Sequence, residues 1–413
     1  MTYPTIMPAL TLDFQNSQQL DPRVKFSRSS SATYINSAGQ VASAADHEAR
    51  FDHDPVTGEN LGLLMEESRT NYAENSEDFS LWTAQNSTVL TAQGTAPNGT
   101  NTAFKIQENT SNISHSIREP TNSTWSGAAT ISCYVKPAGR NFAYMGFTGV
   151  SQTSVTFDLV NKVSSYKGNN VTSASVKEAG NGWVRIIAVF SSSITSGRAT
   201  VGPAESDSSG GLNYVGDGSS GILAWGAQLE TGAFPTSYIP TTGSTVTRSA
   251  DICKIDGYNF SSWYNQSKGT ITYKYTAIGG GQFLSPASIR ASNGQDVQSW
   301  GYYMYTGGSQ YRVPNAGQRK SPTENIHLAD SIFTSTVMGQ SYKAAVTHDN
   351  STLSGCLQGY SVQSRSITSL PTMTELGIGY IKKNWNNYFT GHVTRLSYYN
   401  QRLTDAELQT ITQ

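Results

Sequence analysis

Two stretches carry the residue types that hold sugars. One is Trp300-Gly301-Tyr302-Tyr303-Met304-Tyr305, with Gln310 and Tyr311 close behind it; the other is Asn384-Trp385-Asn386-Asn387-Tyr388. A sugar offers a flat C–H face that stacks on an aromatic ring, and hydroxyls that take paired bonds from amides. Trp300, Tyr302, Tyr303 and Tyr305 follow an extended, alternating run, so rings fall on both of its faces. Trp385, Asn386, Asn387 and Tyr388 mix rings and amides directly. The same rings could instead fill a sandwich interior or a subunit interface, where Tyr is common. The residue types leave both readings open.

A third cluster is Asp46, His47, Glu48, Asp52, His53 and Asp54. Oxygen and imidazole donors at this density could hold a divalent ion. The twelve-residue calcium loop is absent, however, and Asp54-Pro55-Val56-Thr57-Gly58 reads as a turn. The expectation is a solvated, hydrogen-bonded loop, with no metal and no cofactor. Catalytic signatures are also missing: there is no Gly-x-Ser-x-Gly elbow and no Glu-x-Asp-x-x-Glu triplet. The acids Glu66, Glu67, Glu74, Glu77 and Asp78 lie outside any clear inward-facing strand. Two carboxylates at a suitable separation would still suffice for a glycosidase, but the expectation is a protein that is not an enzyme.

These side chains need a scaffold, and composition limits which one. Charged residues are only 14% of the 413, and Ser, Thr, Asn, Gln, Gly and Tyr fill the gap. Hydroxyl and amide surfaces with many turns suit short strands. A formal net charge of −1 provides no footprint for nucleic acid, and no apolar run reaches membrane-span length. Met1-Thr2-Tyr3-Pro4-Thr5 lacks the basic and apolar regions of a secretion signal, so sequons such as those at Asn98, Asn122 and Asn170 read as by-products of composition. Cys133, Cys253 and Cys356 are odd in number and far apart, which predicts reduced thiols and folding in a reducing cytoplasm.

Along the chain, strand periods dominate. Leu223, Trp225, Ala227 and Leu229 alternate as one buried face, until Pro235 and Pro240 stop the strand. Thr241-Thr242-Gly243-Ser244-Thr245 then reads as a linker between two domains. Ile131, Cys133 and Val135 share a face, Val155, Phe157 and Leu159 another, and Trp183 to Phe190 is apolar on both sides, after a tight turn at Gly180-Asn181-Gly182. In the last part, Ile271, Tyr273 and Tyr275 alternate, whereas Val393, Leu396 and Tyr398 fit no single period of two and predict a bulge. Thr404 with Glu407 forms a capping box and predicts a short C-terminal helix. Residues 1–70 are too poor in apolar side chains for a core of their own and are expected to lie against the next domain or a neighbouring subunit.

The last part resembles the concanavalin-A-like, laminin-G-type sandwich family through Gly391-His392-Val393-Thr394-Arg395-Leu396-Ser397-Tyr398-Tyr399-Asn400-Gln401-Arg402-Leu403-Thr404-Asp405-Ala406-Glu407-Leu408, with Leu357-Gln358-Gly359 departing from the usual Val-Asn-Gly. The middle part resembles carbohydrate-binding jelly rolls of phage virion proteins through Tyr134-Val135-Lys136-Pro137, Gly180-Asn181-Gly182-Trp183-Val184-Arg185 and Trp225-Gly226-Ala227-Gln228-Leu229-Glu230. The leading segment, with Asp21-Pro22-Arg23-Val24 and Arg50-Phe51-Asp52-His53-Asp54-Pro55, is similar to a stretch that accompanies this pair in phage structural proteins.

The resemblance implies an all-β chain: an irregular N-terminal docking segment (1–70), a carbohydrate-binding-like jelly roll (71–247) and a concanavalin-A-like sandwich (248–413). It further implies a bacteriophage virion protein at the particle surface, of tail-fibre or receptor-binding type. Its partners would be other virion proteins, copies of itself in a homotrimer, and host surface polysaccharide. A capsid or tail decoration and a polysaccharide-degrading virion enzyme stand as alternatives.

Overall fold

The computed structural model describes residues 4–190, 194–280, 283–291, 299–305, 313–321, 324–327, 337–367, 370, 372–380 and 388–413. Among them the regular structure is almost entirely antiparallel strand, arranged as two sandwiches. The middle, jelly-roll sandwich packs a six-stranded sheet, centred on Ala129–Ala138 and Gly221–Thr231, against a seven-stranded one centred on Phe142–Thr148 and Ile194–Ala204. Its interior holds Ile131, Val135, Phe157, Ile186 and Leu229. It enters and leaves through one ribbon, in which Arg69–Asn71 pairs with Val246–Arg248.

The C-terminal sandwich encloses Ile271, Tyr275, Leu376, Val393 and Leu396. Its long strands Gly269–Gly280 and Phe389–Tyr399 pair side by side. The anticipated bulge lies between them: Lys274 opposes Arg395 and Tyr275 opposes Val393, leaving Thr394 as the extra residue. The C-terminal helix Asp405–Thr412 carries the expected capping box and covers Cys356 with Leu408. Among the described residues no helix is long and apolar enough to cross a membrane.

Three features depart from the sequence reading. First, the leading segment, described from residue 4, contributes strands to the C-terminal sandwich rather than lying on it. Leu10–Asp13 pairs with Leu396 and its neighbours, Asn60–Met65 extends the same edge, Phe51–His53 pairs outside that, and Lys25–Ser27 joins the opposite sheet through Ile252–Asp256. Leu10, Leu12, Phe14, Leu63 and Met65 thereby enter the core, which pairs an edge that would otherwise be open. Second, the 241–245 stretch is no loose tether. Thr241 is buried and donates to the Ala73 carbonyl, and Gly243 N–H donates to the Glu74 carbonyl at 2.8 Å.

Third, the Leu223–Leu229 alternation breaks in the middle. Ser132 opposes Gln228 and Tyr134 opposes Trp225, so Gly226 and Ala227 share one partner. Gly226 sits at φ +63°, as such a bulge requires. Ala227 and Leu229 therefore face the interior, while Trp225 turns outward into a second cluster with Tyr134, Trp183 and Tyr238. A Cβ at Gly226 would meet the Tyr134 ring at 3.1 Å and the Tyr238 ring at 3.3 Å. The Gly226→Ala variant is expected to lose about 1–2 kcal/mol through this crowding and the left-handed backbone, read as a lowered thermal midpoint.

Candidate functional site: a groove between the sandwiches

The two sandwiches face each other across a groove of about 920 Å³. One wall is the outer face of the C-terminal sheet. On Gly269–Gly280 the inward side chains Tyr273 and Tyr275 are buried, so Lys274, Thr276 and Ile278 project the other way, into the groove. His392 and Thr394 project from the neighbouring strand, with Asn60, Asp52 and His53 beyond them. The opposite wall is the outer face of the six-stranded sheet, with Ser175, Lys177, Arg185 and Tyr134. The loop from Pro235 to Tyr238 and the hairpin around Tyr34 close the floor.

Several polar side chains in the groove are held by partners. His392 Nε2 lies 2.8 Å from Asp52 Oδ2, and Asp52 Oδ1 accepts the Ile35 N–H at 2.6 Å. Lys274 Nζ donates to Gln15 at 2.9 Å, and Arg185 Nη1 donates to the Thr236 carbonyl at 2.8 Å. The groove carboxylates are engaged as well. Asp54 accepts the Val56 and Thr57 N–H groups, which holds its carboxyl below the usual range. Glu59 accepts from Gln15 at 3.1 Å, and Glu178 pairs with Lys162. At Glu66 burial opposes charge, but Arg248, Arg50 and Ser237 outweigh it and hold the carboxyl well below its ordinary value.

Beneath the groove floor lies a cluster of fully buried charges. Arg50 donates to Glu66 at 2.6 Å and to Asp251 at 2.5 Å, Arg28 reaches Asp251 at 3.1 Å, and Arg248 reaches Glu66 at 2.6 Å. The Ser237 hydroxyl and N–H donate to Glu66 at 2.6 and 2.7 Å. The cluster ties the leading segment to the connector that leaves the middle sandwich, which fixes the groove's width.

The residues singled out from sequence lie elsewhere. Trp300, Tyr302, Tyr303 and Tyr305 fall on the strand Ser299–Tyr305, in the other sheet of the C-terminal sandwich, with Trp300 opposite Ile289 and Tyr303 opposite Asn315. Tyr388 is half-buried, its ring stacked on Tyr380 at 6.3 Å, and burial raises its phenol. Trp385, Asn386 and Asn387, like Gln310 and Tyr311, lie outside the described residues.

The acid–imidazole cluster at 46–54 separates into local roles. His47 Nδ1 accepts the Arg28 N–H, Glu48 accepts the Ala45 N–H at 2.7 Å, and Asp54 caps its turn. Among the described residues no three His, Cys, Asp or Glu side chains converge as a metal site. Cys133, Cys253 and Cys356 are buried free thiols, and burial pushes Cys133 up to about 12.

No protein-family model matches the sequence, and no curated protein matches it. Among solved structures, the chain is similar to the CBM40 of the Ruminococcus gnavus IT-sialidase bound to α2,3-sialyllactose, at 16% identity and TM-score 0.30, over 38% of this chain and 88% of that one. It is similar to a heptameric SAP-like pentraxin from Limulus polyphemus at 16% identity and TM-score 0.29, over 36% of this chain and 70% of that one. It is also similar to a leech intramolecular trans-sialidase at 16% identity and TM-score 0.30, over 38% of this chain and 27% of that one. Likeness at this level carries no argument about the groove.

Proposed function

We propose that the chain is a non-enzymatic glycan-binding protein of a bacteriophage virion surface, of tail-fibre or receptor-binding type, and that the groove between the sandwiches receives the glycan. The observation that carries this reading is the groove itself. It has room for several sugar rings, and its walls are hydroxyls, amides, Tyr rings and paired charges on rigid strands. Its carboxylates are committed to structural partners, which favours holding a polysaccharide over cleaving it. The phage setting rests on the resemblance of the leading and middle segments to virion proteins. On that reading the protein acts as a homotrimer with other virion proteins as partners, folds in the host cytoplasm and works at the particle surface.

The test is an array of bacterial lipopolysaccharide O-chains and capsular oligosaccharides, probed with the full chain and with Thr276→Trp. Thr276 is partly exposed on the groove wall, so a Trp there fills the space without entering the core. Wild type is expected to bind a subset of spots and Thr276→Trp to lose at least about tenfold in signal, about 1.4 kcal/mol. Equal binding by the two proteins would remove the groove from the reading. Release of reducing sugar from a bound spot would replace binding with catalysis.

A further inference from the structure

His53 and Asn60 stand directly opposite each other on paired strands, at a point where Leu61 is the extra residue of a bulge. Bulges re-aim side chains, and here both residues line the groove. His53 is 5% exposed and Asn60 8% exposed. His53 Nδ1 lies 3.0 Å from the Ile35 carbonyl, which can only accept, so Nδ1 carries the proton and Nε2 presents a lone pair. Asn60 Oδ1 accepts the Gly62 N–H at 2.7 Å, which fixes the amide and leaves Nδ2 as the free donor. Neither His53 Nε2 nor Asn60 Nδ2 has a hydrogen-bond partner in the protein. Buried groups of this kind are rare, because each unmet bond is costly.

We infer that His53 Nε2 and Asn60 Nδ2 form a hydroxyl-recognition subsite of the groove, taking one sugar hydroxyl that donates to the imidazole and accepts from the amide. A hydroxyl is the small group that does both at once, whereas a carboxylate or phosphate oxygen cannot donate to Nε2 and an ammonium cannot accept from Nδ2. Directly opposed residues on paired strands have Cβ atoms about 5 Å apart. Both nitrogens are covered in this structure, so the hydroxyl reaches them as the two side chains turn toward the groove. The subsite rests on the glycan reading above and narrows it to a neutral, polyhydroxylated part of the glycan.

The experiment uses the same oligosaccharide array with the full chain and two variants. Asn in place of His53 keeps a donor where Nδ1 stands and deletes Nε2, so His53→Asn retains the bond to Ile35. Asn60→Asp keeps the acceptor for Gly62 and deletes the donor. Thermal midpoints confirm that each variant folds. The expected result is wild-type binding with signal reduced about tenfold or more in His53→Asn at a near-wild-type midpoint, and a similar loss in Asn60→Asp. Wild-type signal in a folded His53→Asn would overturn the subsite while leaving the groove reading intact, as it would if a trapped water met both groups. A wild-type chain that binds no spot would overturn both.

Discussion

The Asp251→Asn variant is expected to lose about 3–5 kcal/mol of stability. Asp251 is fully buried and is one of two carboxylates among three buried guanidiniums, those of Arg28, Arg50 and Arg248. Its two oxygens take Arg28 Nη1, Arg50 Nη2 and the Glu66 N–H. An amide can still accept, but it brings no charge and points two donors at cations. Arg28 and Arg248 are already held below their ordinary values, first by burial and also by repulsion from Arg50. Removing one anion leaves that repulsion opposed mainly by Glu66, with a smaller pull from Glu230 on Arg248.

The loss should appear as a lower urea midpoint that added salt does not restore, because buried pairs are poorly screened. A control sits on the surface. Asp256 bridges Lys25 and Lys254, and the Lys25 side chain is 62% exposed, so Asp256→Asn should cost under about 1 kcal/mol. Equal losses in the two variants would show that the buried cluster has no special weight. A stable Asp251→Asn protein with weakened glycan binding would show that the cluster shapes the groove more than it stabilises the fold.

Local sequence signals carried the parts of this fold that are local. The bulge opposite Lys274 and Tyr275 was legible because Val393, Leu396 and Tyr398 break a period of two, and the C-terminal helix because Thr404 and Glu407 are three residues apart. The leading segment was not legible as strands of the C-terminal sandwich. Its pieces are three to six residues long, and Leu10 finds its partner at Tyr398, almost the full chain away. Leu10, Leu12 and Phe14 did alternate, which was the available signal.

The groove is hidden from sequence for a related reason. His53 and Asn60 are only seven positions apart, but His53 reads as part of the acidic cluster at 46–54 and Asn60 carries no signal of its own. What makes them a pair is the register of two short strands, and what makes them face a cavity is the middle sandwich across from them. Aromatic density drew attention instead to the strand Ser299–Tyr305, which belongs to the other sheet. Trp225 shows the same limit: the alternation around it was real, but Gly226 at φ +63° reverses its face.

Glu119 gives the second large effect, and it depends on pH. Its side chain is 1% exposed, one oxygen accepts the Glu74 N–H at 3.1 Å, and the other has no partner. Burial pushes its carboxyl up to about 7 from 4.5, against the pull of that hydrogen bond and with a contribution from the Glu74 charge. The folded protein therefore binds a proton here that the unfolded chain has released. This contribution is fully present below pH 4.5 and is lost as pH rises through about 7. The shift corresponds to roughly 3 kcal/mol by linkage.

Glu119→Gln keeps the neutral shape and cannot ionise. The variant should match wild type near pH 4.5 and exceed it by roughly 3 kcal/mol at pH 8, measured as the difference between urea titrations at the two pH values. The difference between the two proteins is the relevant quantity, because His348 acts in the opposite direction. Burial lowers that ring to about 4 from 6.5, so its contribution is lost as pH falls through that value, in both proteins alike. A Glu119→Gln curve parallel to wild type from pH 5 to 8 would mean that this carboxyl stays charged in the fold, and that an unseen cation or solvent path reaches the oxygen left without a partner.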